Sequence, residues 1–384
     1  MPFIRKKSYE IFQLGHLLMF PMIALLCAHG TSALLQFPML GYWLAFPTLL
    51  VITERVIRVV NGFIRMDATV KILDGETVSI TVRIPEHRHW HYKAGQYIFL
   101  QIPKLSLFQW HPFTISTCMG NEMQVHIKTD GDWTGKLREM TKEGEESSIK
   151  VGIDGPYGAP AQRFYDFNQS IVLGSGIGVT PFSGILTDLK RREDKIRETN
   201  VNPAADNQSE KTVDTEMLEF RRVDFHWIVK DKNYLLWFSD LLNEVSQSSA
   251  SHRDETSPHL DVHIITHVTQ KRKSVATHIY RYLLELHRTD EHPASPITGL
   301  INPTHFGRPD LEKIMNEHYE SMVKLFGPGG AQEKVDEDER KVGVFFCGAP
   351  PIGYELADRC SALTLRGRED RNFIEYHFMM EVFG

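Results

Sequence analysis

A short apolar run that opens into three closely spaced glycines sets the strongest limit on this fold. Ser170-Ile171-Val172-Leu173 reads as a buried strand and Gly174-Ser175-Gly176-Ile177-Gly178-Val179 as a turn. Thr180-Pro181 then starts a helix running from Phe182 to Arg191, with proline near the first helical position. Strand, glycine turn and helix N-terminus together offer backbone N–H groups and the positive end of a helix dipole, which suits a pyrophosphate. The spacing is GxGxG, not GxGxxG, so the common dinucleotide fingerprint does not strictly apply. A turn with a purely structural role is the competing reading.

Two further segments repeat the strand-then-helix pattern. Val223–Val229 leads into a helix over Leu235–Val245, and Val342–Phe346 ends at Cys347-Gly348-Ala349-Pro350-Pro351. This alternation predicts an α/β domain on a parallel sheet, with ligands at the C-terminal strand ends. Lys230, just after its strand, and Arg308, in Phe306-Gly307-Arg308-Pro309-Asp310, are candidates to meet a 2′-phosphate. The plainer reading of each is a solvated surface cation. Two stretches, 190–216 and 327–341, read as insertions without fixed structure.

Upstream the period changes. Val70–Leu73 and Val78–Ile84 alternate and are rich in β-branched residues, with Asp74-Gly75 as a turn between them, and Tyr97–Ile102 is a further strand. Short strands with frequent turns predict a barrel. In His111-Pro112-Phe113-Thr114-Ile115-Ser116 the strand period puts Thr114 and Ser116 on one side, where their hydroxyls suit the polar edge of a flavin. The glycine turn and helix start at Gly131-Asp132-Trp133-Thr134, with Lys128 nearby, suit a diphosphate. His111, Pro112, Phe113, Thr114, Lys128, Trp133 and Thr134 are therefore the FAD candidates. Taken alone, the four residues His111–Thr114 are equally at home in an ordinary strand.

At the N-terminus, Ile11–Ala28 is apolar except for Gln13 and His16, and Phe37–Ile52 carries no charge. Runs of about 16 to 18 residues lie near the lower limit for spanning helices; the alternative is a pair of buried globular helices. Arg5, Lys6 and Lys7 before the first run and Arg55 and Arg58 after the second predict a membrane hairpin with both ends cytoplasmic. His16 and His29 are separated by about 20 Å along a helix axis, which suits one imidazole for each of two stacked haems. Pro21 between them predicts the kink that this arrangement needs. The plainer reading leaves His29 merely interfacial.

The chain has 384 residues, enough for two or three domains, and its net charge of −6 gives no reason to expect nucleic acid. Cys27, Cys118, Cys347 and Cys360 are scattered without a CxxC pair, so neither a zinc site nor a disulfide framework is expected.

The order of these pieces resembles the NADPH oxidase family, within the ferric reductase-like superfamily, and is most similar to its fungal A-type enzymes. The resemblance covers Tyr9 to Phe383 apart from the two insertions. Tyr9-Glu10-Ile11-Phe12, His16 and His29-Gly30 resemble the family's fifth transmembrane helix, which carries one ligand to each of two haems. Glu54-Arg55 and Arg58 resemble the end of its sixth. Gln109–Thr114 is similar to its FAD motif, and Asp154-Gly155-Pro156-Tyr157-Gly158 with the glycine turn to its link into the NADPH domain. Trp227–Asp231 and Gly307–Pro309 resemble segments that contact the adenosine phosphate, with lysine at 230 where the family usually has arginine. Cys347-Gly348 matches the segment near the nicotinamide. Phe383 takes the place of the terminal aromatic that covers the flavin, although Gly384 follows it.

The resemblance implies an integral membrane NADPH oxidase subunit with its FAD and NADPH domains in the cytoplasm. Electrons would pass from NADPH through FAD and haem b to molecular oxygen, giving superoxide, with Cys347 and Phe383 beside the chemistry. Implied partners are the membrane, cytosolic regulatory subunits and a small GTPase. Four of the family's helices, and the two haem ligands on its third, have no counterpart here, so a C-terminal fragment with an incomplete haem site is the expectation. Alternatives are a ferric-chelate reductase, a non-catalytic truncated chain and a diaphorase. The expected fold is a membrane helix hairpin over 1–62 followed by a ferredoxin-reductase-like module. That module comprises an antiparallel β-barrel FAD domain over 63–162 and an α/β parallel-sheet NADP-binding domain over 163–384.

Overall fold

The computed structural model of the chain describes residues 15–30, 39–86, 88, 90–107, 109–201, 221–251, 260–270, 275–289, 292–327 and 337–382. The chain divides into two compact units, Met1–Ile64 and Arg65–Gly384.

The first unit holds helices α1 (Met19–Gly30) and α2 (Leu40–Phe63). Helical residues 15–17 are set off from α1 by a turn at Leu18. Pro21 explains the break, because its ring clashes with the carbonyl four residues earlier, at Leu17. His16 and His29 lie on either side of that turn, and both are exposed. Large apolar side chains such as Leu18, Leu25, Trp43, Phe46 and Phe63 are exposed as well. Among the described residues no helix is long and apolar enough to cross a membrane. The 12 residues of α1 extend about 18 Å, against a hydrocarbon core of about 30 Å. The 24 residues of α2 include Glu54, Arg55 and Arg58, with Arg58 Nη2 2.6 Å from Glu54 Oε1. Both apolar runs read from the sequence begin outside the described residues, as do Arg5, Lys6 and Lys7.

The second unit is built on two sheets. Strands β1 (Met66–Ile72), β2 (Thr77–Arg83), β3 (Tyr97–Gln101), β4 (His111–Thr114), β5 (Thr117–Met119), β6 (Glu122–Lys128) and β7 (Glu146–Tyr157) form an antiparallel sheet. Its order is β4-β3-β7-β1-β2-β6-β5. Alternation drives it: Met66, Ala68 and Val70 of β1 are buried while Asp67, Thr69 and Lys71 are exposed. The long β7 pairs with β1 through its first half and with β3 through its second, which curls the sheet. The corner between β4 and β5 closes the curl: Ile115 N–H donates to Gln96 O at 3.0 Å and Ser116 N–H to Gln124 O at 2.9 Å. Val70, Ile80, Ile98, Leu100, Val125 and Ile153 fill the interior, each worth about 1.5–3 kcal/mol on burial. Helix α3 (Asp132–Arg138) buries Trp133 and Leu137 against it.

The second sheet is parallel throughout. It contains β8 (Gln169–Ser175), β9 (Arg221–Val229), β10 (Leu260–Val268), β11 (Thr304–Phe306), β12 (Lys341–Cys347) and β13 (Glu375–Glu381), in the order β11-β10-β9-β8-β12-β13. Helices α4 (Thr180–Val201), α5 (Ser239–Ser251), α6 (Val275–Leu286), α7 (Leu311–Phe326) and α8 (Pro350–Glu369) accompany it. Val172 joins one apolar layer with Phe182 and Phe225, while Ile171 and Leu173 join another with Tyr319 and Leu356. A central parallel strand is buried on both faces, which is why 171–173 reads as continuous apolar sequence.

The helix expected to stop at Arg191 continues to Val201, so the first part of the 190–216 stretch is ordered helix. Lys190 helps anchor it, 2.7 Å from Glu244 Oε2 and 3.8 Å from Asp194 Oδ2. The 327–341 stretch likewise ends in a 3-10 turn over Glu337–Arg340 and in the first residue of β12. The remainders, 202–216 and 328–336, lie outside the described residues.

Candidate functional site

Strand β8 has β9 on one side and β12 on the other. The strand order therefore reverses between β8 and β12, and open α/β sheets bind ligands outside the carboxyl ends of the strands at such a switch point. The glycine turn lies at this switch point on the β8 side, and Cys347-Gly348 on the β12 side.

A 3-10 turn over Gly176–Val179 joins β8 to α4. Trp227 on β9 fixes it, donating from Nε1 to Gly176 O at 3.0 Å. Gly174 precedes that turn, and Thr180 and Pro181 lie buried in the first turn of α4. Gly178 packs on the end of β12 so tightly that a methyl group there would come within 2.3 Å of Cys347 O. Lys230 and Arg308 are both exposed at the same carboxyl rim. Gln270 N–H donates to Lys230 O, and Gly307 N–H to Val268 O, each at 3.0 Å.

Cys347 ends β12 directly opposite Glu381 of β13. Burial, with the neighbouring Glu381 carboxylate, pushes its thiol well above the usual range, so it is neutral at pH 7. Glu381 is a residue that the sequence reading missed. Its Oε1 accepts from Ala161 N–H at 3.0 Å, while Oε2 is buried without a partner among the described residues. Burial pushes the carboxyl up to about 7, opposed by the Ala161 N–H. A neutral thiol and a carboxyl that is about half protonated at pH 7 thus sit together at the carboxyl end of β12. Only the register of β13 on β12 brings Glu381 here, and nothing local to 375–381 announces it.

The raised Glu381 value carries a stability consequence. The unfolded carboxyl titrates near 4.5, so between pH 4.5 and 7 the folded chain holds more proton. The contribution is fully present below pH 4.5 and is lost as pH rises through 7. Glu381→Gln is expected to stabilise the protein by about 3 kcal/mol at pH 8 and to change little at low pH. Urea unfolding across that range measures it.

On the barrel side, the Trp133 ring lies 4.4 Å from His111 and 6.0 Å from Phe113. Pro112 occupies an edge strand, where its missing N–H costs no ladder bond. Thr114 is buried, and its Oγ1 has no partner among the described residues; His111 Nε2 and Trp133 Nε1 share that condition. An orphaned buried polar atom costs about 1–3 kcal/mol, so these atoms fit the polar edge of a bound flavin. Other expected FAD residues are committed elsewhere. Ser116 Oγ pairs with His126 Nδ1 at 2.8 Å. The Thr134 hydroxyl caps α3, accepting from Gly131 N–H at 2.9 Å and donating to Gly131 O at 3.1 Å. Lys128 is 2.6 Å from Asp130 and 3.7 Å from Glu76, and these carboxylates raise its pKa. Its charge is already matched, which leaves less for a diphosphate. Phe383 lies outside the described residues.

One helix ties the two sides together. Ser183 Oγ in α4 donates to Ser116 O at 2.9 Å. A methyl group on Gly184 would lie 2.7 Å from Tyr92 Oη and 3.1 Å from Ile115 O. The helix that begins at the glycine turn therefore packs on the strand end just beyond Thr114.

The FAD-binding domain family matches residues 63–161, and the ferric reductase NAD binding domain family matches 167–361, half of the chain. The chain belongs to the ferric reductase NAD-binding family. Its curated relatives bear out the resemblance to NADPH oxidases. A superoxide-generating NADPH oxidase heavy chain of Dictyostelium discoideum is 30% identical over 93% of this chain and 47% of its own length. The probable respiratory burst oxidase homolog protein I of Arabidopsis thaliana is 27% identical over 95% and 41%, and dual oxidase 2 of Sus scrofa 26% over 98% and 22%. The chain thus spans less than half of each of these relatives. Solved structures with a similar arrangement include a Neisseria gonorrhoeae ferredoxin NADP+ reductase (TM-score 0.41, 16% identity, 83% of this chain and 98% of that one). A Malassezia yamatoensis flavohemoglobin is another (TM-score 0.46, 13% identity, 89% and 67%).

Proposed function

We propose that this family member is the FAD- and NADPH-binding part of a membrane NADPH oxidase. The observation that carries this reading is the α4 joint, where the glycine turn and the Thr114 strand end meet on one helix. Bound FAD would supply hydride acceptance from NADPH and one-electron delivery toward a haem path that ends at oxygen.

The chain's own residues do the holding. Gly174, Gly176, Gly178, Thr180 and Pro181 present the pyrophosphate cradle, and Lys230 with Arg308 meets the 2′-phosphate. Gly348 and Cys347 line the nicotinamide end, where burial raises the pKa of the Glu381 carboxyl to about 7. His111, Pro112, Phe113, Thr114 and Trp133 hold the flavin; Phe383, expected from the family resemblance as its cover, lies outside the described residues. His16 and His29 offer one imidazole each toward haem b. Two haems would call for four imidazoles, and His16 and His29 would supply two of them. The exposed apolar side chains of the Met1–Ile64 unit support attachment to the membrane; the cytoplasmic side is proposed for the second unit from the family resemblance. Resistance to carbonate extraction tests this; release into the soluble fraction contradicts it. Cytosolic regulatory subunits and a small GTPase are the proposed partners.

Thr114→Val keeps the shape and removes the hydroxyl. Losing one buried hydrogen bond is expected to weaken FAD binding about 10-fold or more, measured by flavin fluorescence titration. An unchanged Kd contradicts the placement of the flavin. Oxygen is proposed as the acceptor because the relatives are named as oxidases. Superoxide-dependent cytochrome c reduction by a haem-containing assembly supports this, and preferential reduction of a ferric chelate favours the ferric-chelate reductase reading.

A further inference from the structure

We propose that Tyr234 and Trp237 are positioning residues, a latch that sets the flavin-side strand end against the glycine turn. The proposal rests on the reading above of those two segments as the FAD and NADPH sites.

The latch grips the β1–β2 turn of the barrel from the parallel-sheet side. Tyr234 Oη donates to Glu76 Oε2 at 2.9 Å, and Trp237 Nε1 donates to Asp74 Oδ2 at 2.6 Å. The two rings stack on each other with centroids 4.8 Å apart. The turn that they hold is itself rigid. Asp74 Oδ1 accepts from Glu76 N–H at 2.7 Å, Arg138 donates to the carbonyls of Asp74 and Gly75, and Thr129 N–H donates to Glu76 O at 2.8 Å. A charged acceptor roughly doubles the strength of an ordinary hydrogen bond, so both latch bonds are of the strong kind. The 3-10 turn over Lys232–Trp237 that presents them is fixed by Asp231, whose side chain accepts from Asn233 N–H at 3.0 Å.

Behind the latch an aromatic wedge reaches both cofactor segments. Trp237 and Phe238 lie 6.2 and 5.9 Å from Trp227, the residue that holds Gly176 O. They lie 6.5 and 4.6 Å from His126, which is bonded to Ser116, two residues past Thr114. Phe238 is buried, so a shift at this point has no solvent to relax into. Releasing the latch therefore loosens the glycine turn through Trp227 and the flavin strand end through His126. Neither Tyr234 nor Trp237 needs to touch a cofactor.

The test is hydrogen exchange on the cofactor-free full chain, followed by flavin reduction on the FAD-loaded chain. The double variant Tyr234→Phe/Trp237→Phe keeps an aromatic ring at each position, the smaller phenyl replacing the indole of Trp237, and removes both donors. Exchange is expected to rise at least about 10-fold at 74–77 and 231–238, and also at 114–116 and 176–180, while 78–82 in β2 stays protected. A rise confined to 74–77 and 231–238 overturns the proposal. In the loaded chain, NADPH-driven flavin bleaching is expected to slow about 10- to 100-fold with the Kd for NADPH unchanged, since displacements near 1 Å suffice for such losses. An unchanged rate overturns it. Glu76→Gln retains an acceptor for Tyr234 and is expected to bleach like the parent, whereas Glu76→Ala is not; equal rates for the two count against the latch. If the parent chain itself binds no FAD, the cofactor reading fails, and the exchange at 114–116 and 176–180 still decides the coupling.

Discussion

Below pH 6.5 the Arg65–Gly384 unit is expected to lose stability steeply and to unfold in mild acid. Four buried histidines carry this expectation. Burial pushes His126 down to about 3, beside the Ser116 hydroxyl. Burial likewise pushes His226 down to about 4, with Asp224 opposing and His305 assisting. His267 falls to about 3 through burial and the neighbouring His226 and His305. His318 falls to about 4 through burial, with Asp224 opposing and Arg222 and His226 assisting. His226 Nδ1 and His267 Nε2 are 3.4 Å apart, and the His267 and His305 rings are stacked with centroids 5.5 Å apart, so charging one raises the cost of charging the next.

Each of these histidines titrates near 6.5 when unfolded and well below that when folded, so the unfolded chain binds more protons in between. The stabilising contribution is fully present above pH 6.5 and is lost as pH falls toward 4 and 3. One pKa unit corresponds to about 1.4 kcal/mol, so His126 alone costs about 3 kcal/mol by pH 4. Total stabilities run to about 5–15 kcal/mol, so a few such groups exhaust the margin. Glu381 acts in the opposite sense between pH 7 and 4.5, but it is one group against four. Urea midpoints at half-unit steps from pH 8 to pH 5 measure the slope, and a flat profile contradicts the burial assigned to these histidines.

Gly178→Ala is expected to disable NADPH use while leaving the barrel intact. The added carbon would sit 2.3 Å from Cys347 O, 2.7 Å from Cys347 C and 3.1 Å from Cys347 Sγ. Two of these are backbone atoms, so no side-chain rotation relieves the overlap. Normal separation is about 3.5–4 Å, so the glycine turn and the end of β12 must part by about 1 Å. Overpacking of this kind costs about 1–3 kcal/mol, and a displacement of that size at a reacting site costs about 100-fold in rate. The efficiency of NADPH-driven flavin reduction is expected to fall by about that factor with the FAD Kd unchanged. A rate within twofold of the parent contradicts the placement of the nucleotide between Gly178 and Cys347.

The sequence made local features legible and distant pairings opaque. The turn at 174–179 could be read because glycines and the start of a helix are adjacent in sequence. Strands β1 and β2 could be read because alternation is a period of two. The extent of α4 could not: its charged second half looks like linker composition, yet it continues as helix to Val201. Ser116 and Thr134 looked like ligand contacts, but a histidine and a helix cap claim their hydroxyls. Glu381 and the Tyr234–Glu76 contact depend on pairings across 220 and 158 residues, which no local pattern encodes. The apolar runs at the N-terminus were legible as composition, and the break at Leu18 follows from Pro21.

The most direct measurement is anaerobic mixing of the FAD-loaded chain with NADPH, following oxidised-flavin absorbance in a single turnover. With nucleotide and flavin held on the two sides of α4, prompt loss of that absorbance is expected, faster with NADPH than with NADH and less selective in Lys230→Ala/Arg308→Ala. A chain that holds FAD stoichiometrically, binds NADPH and leaves the flavin oxidised would contradict the α4 joint as the place where the two cofactors meet.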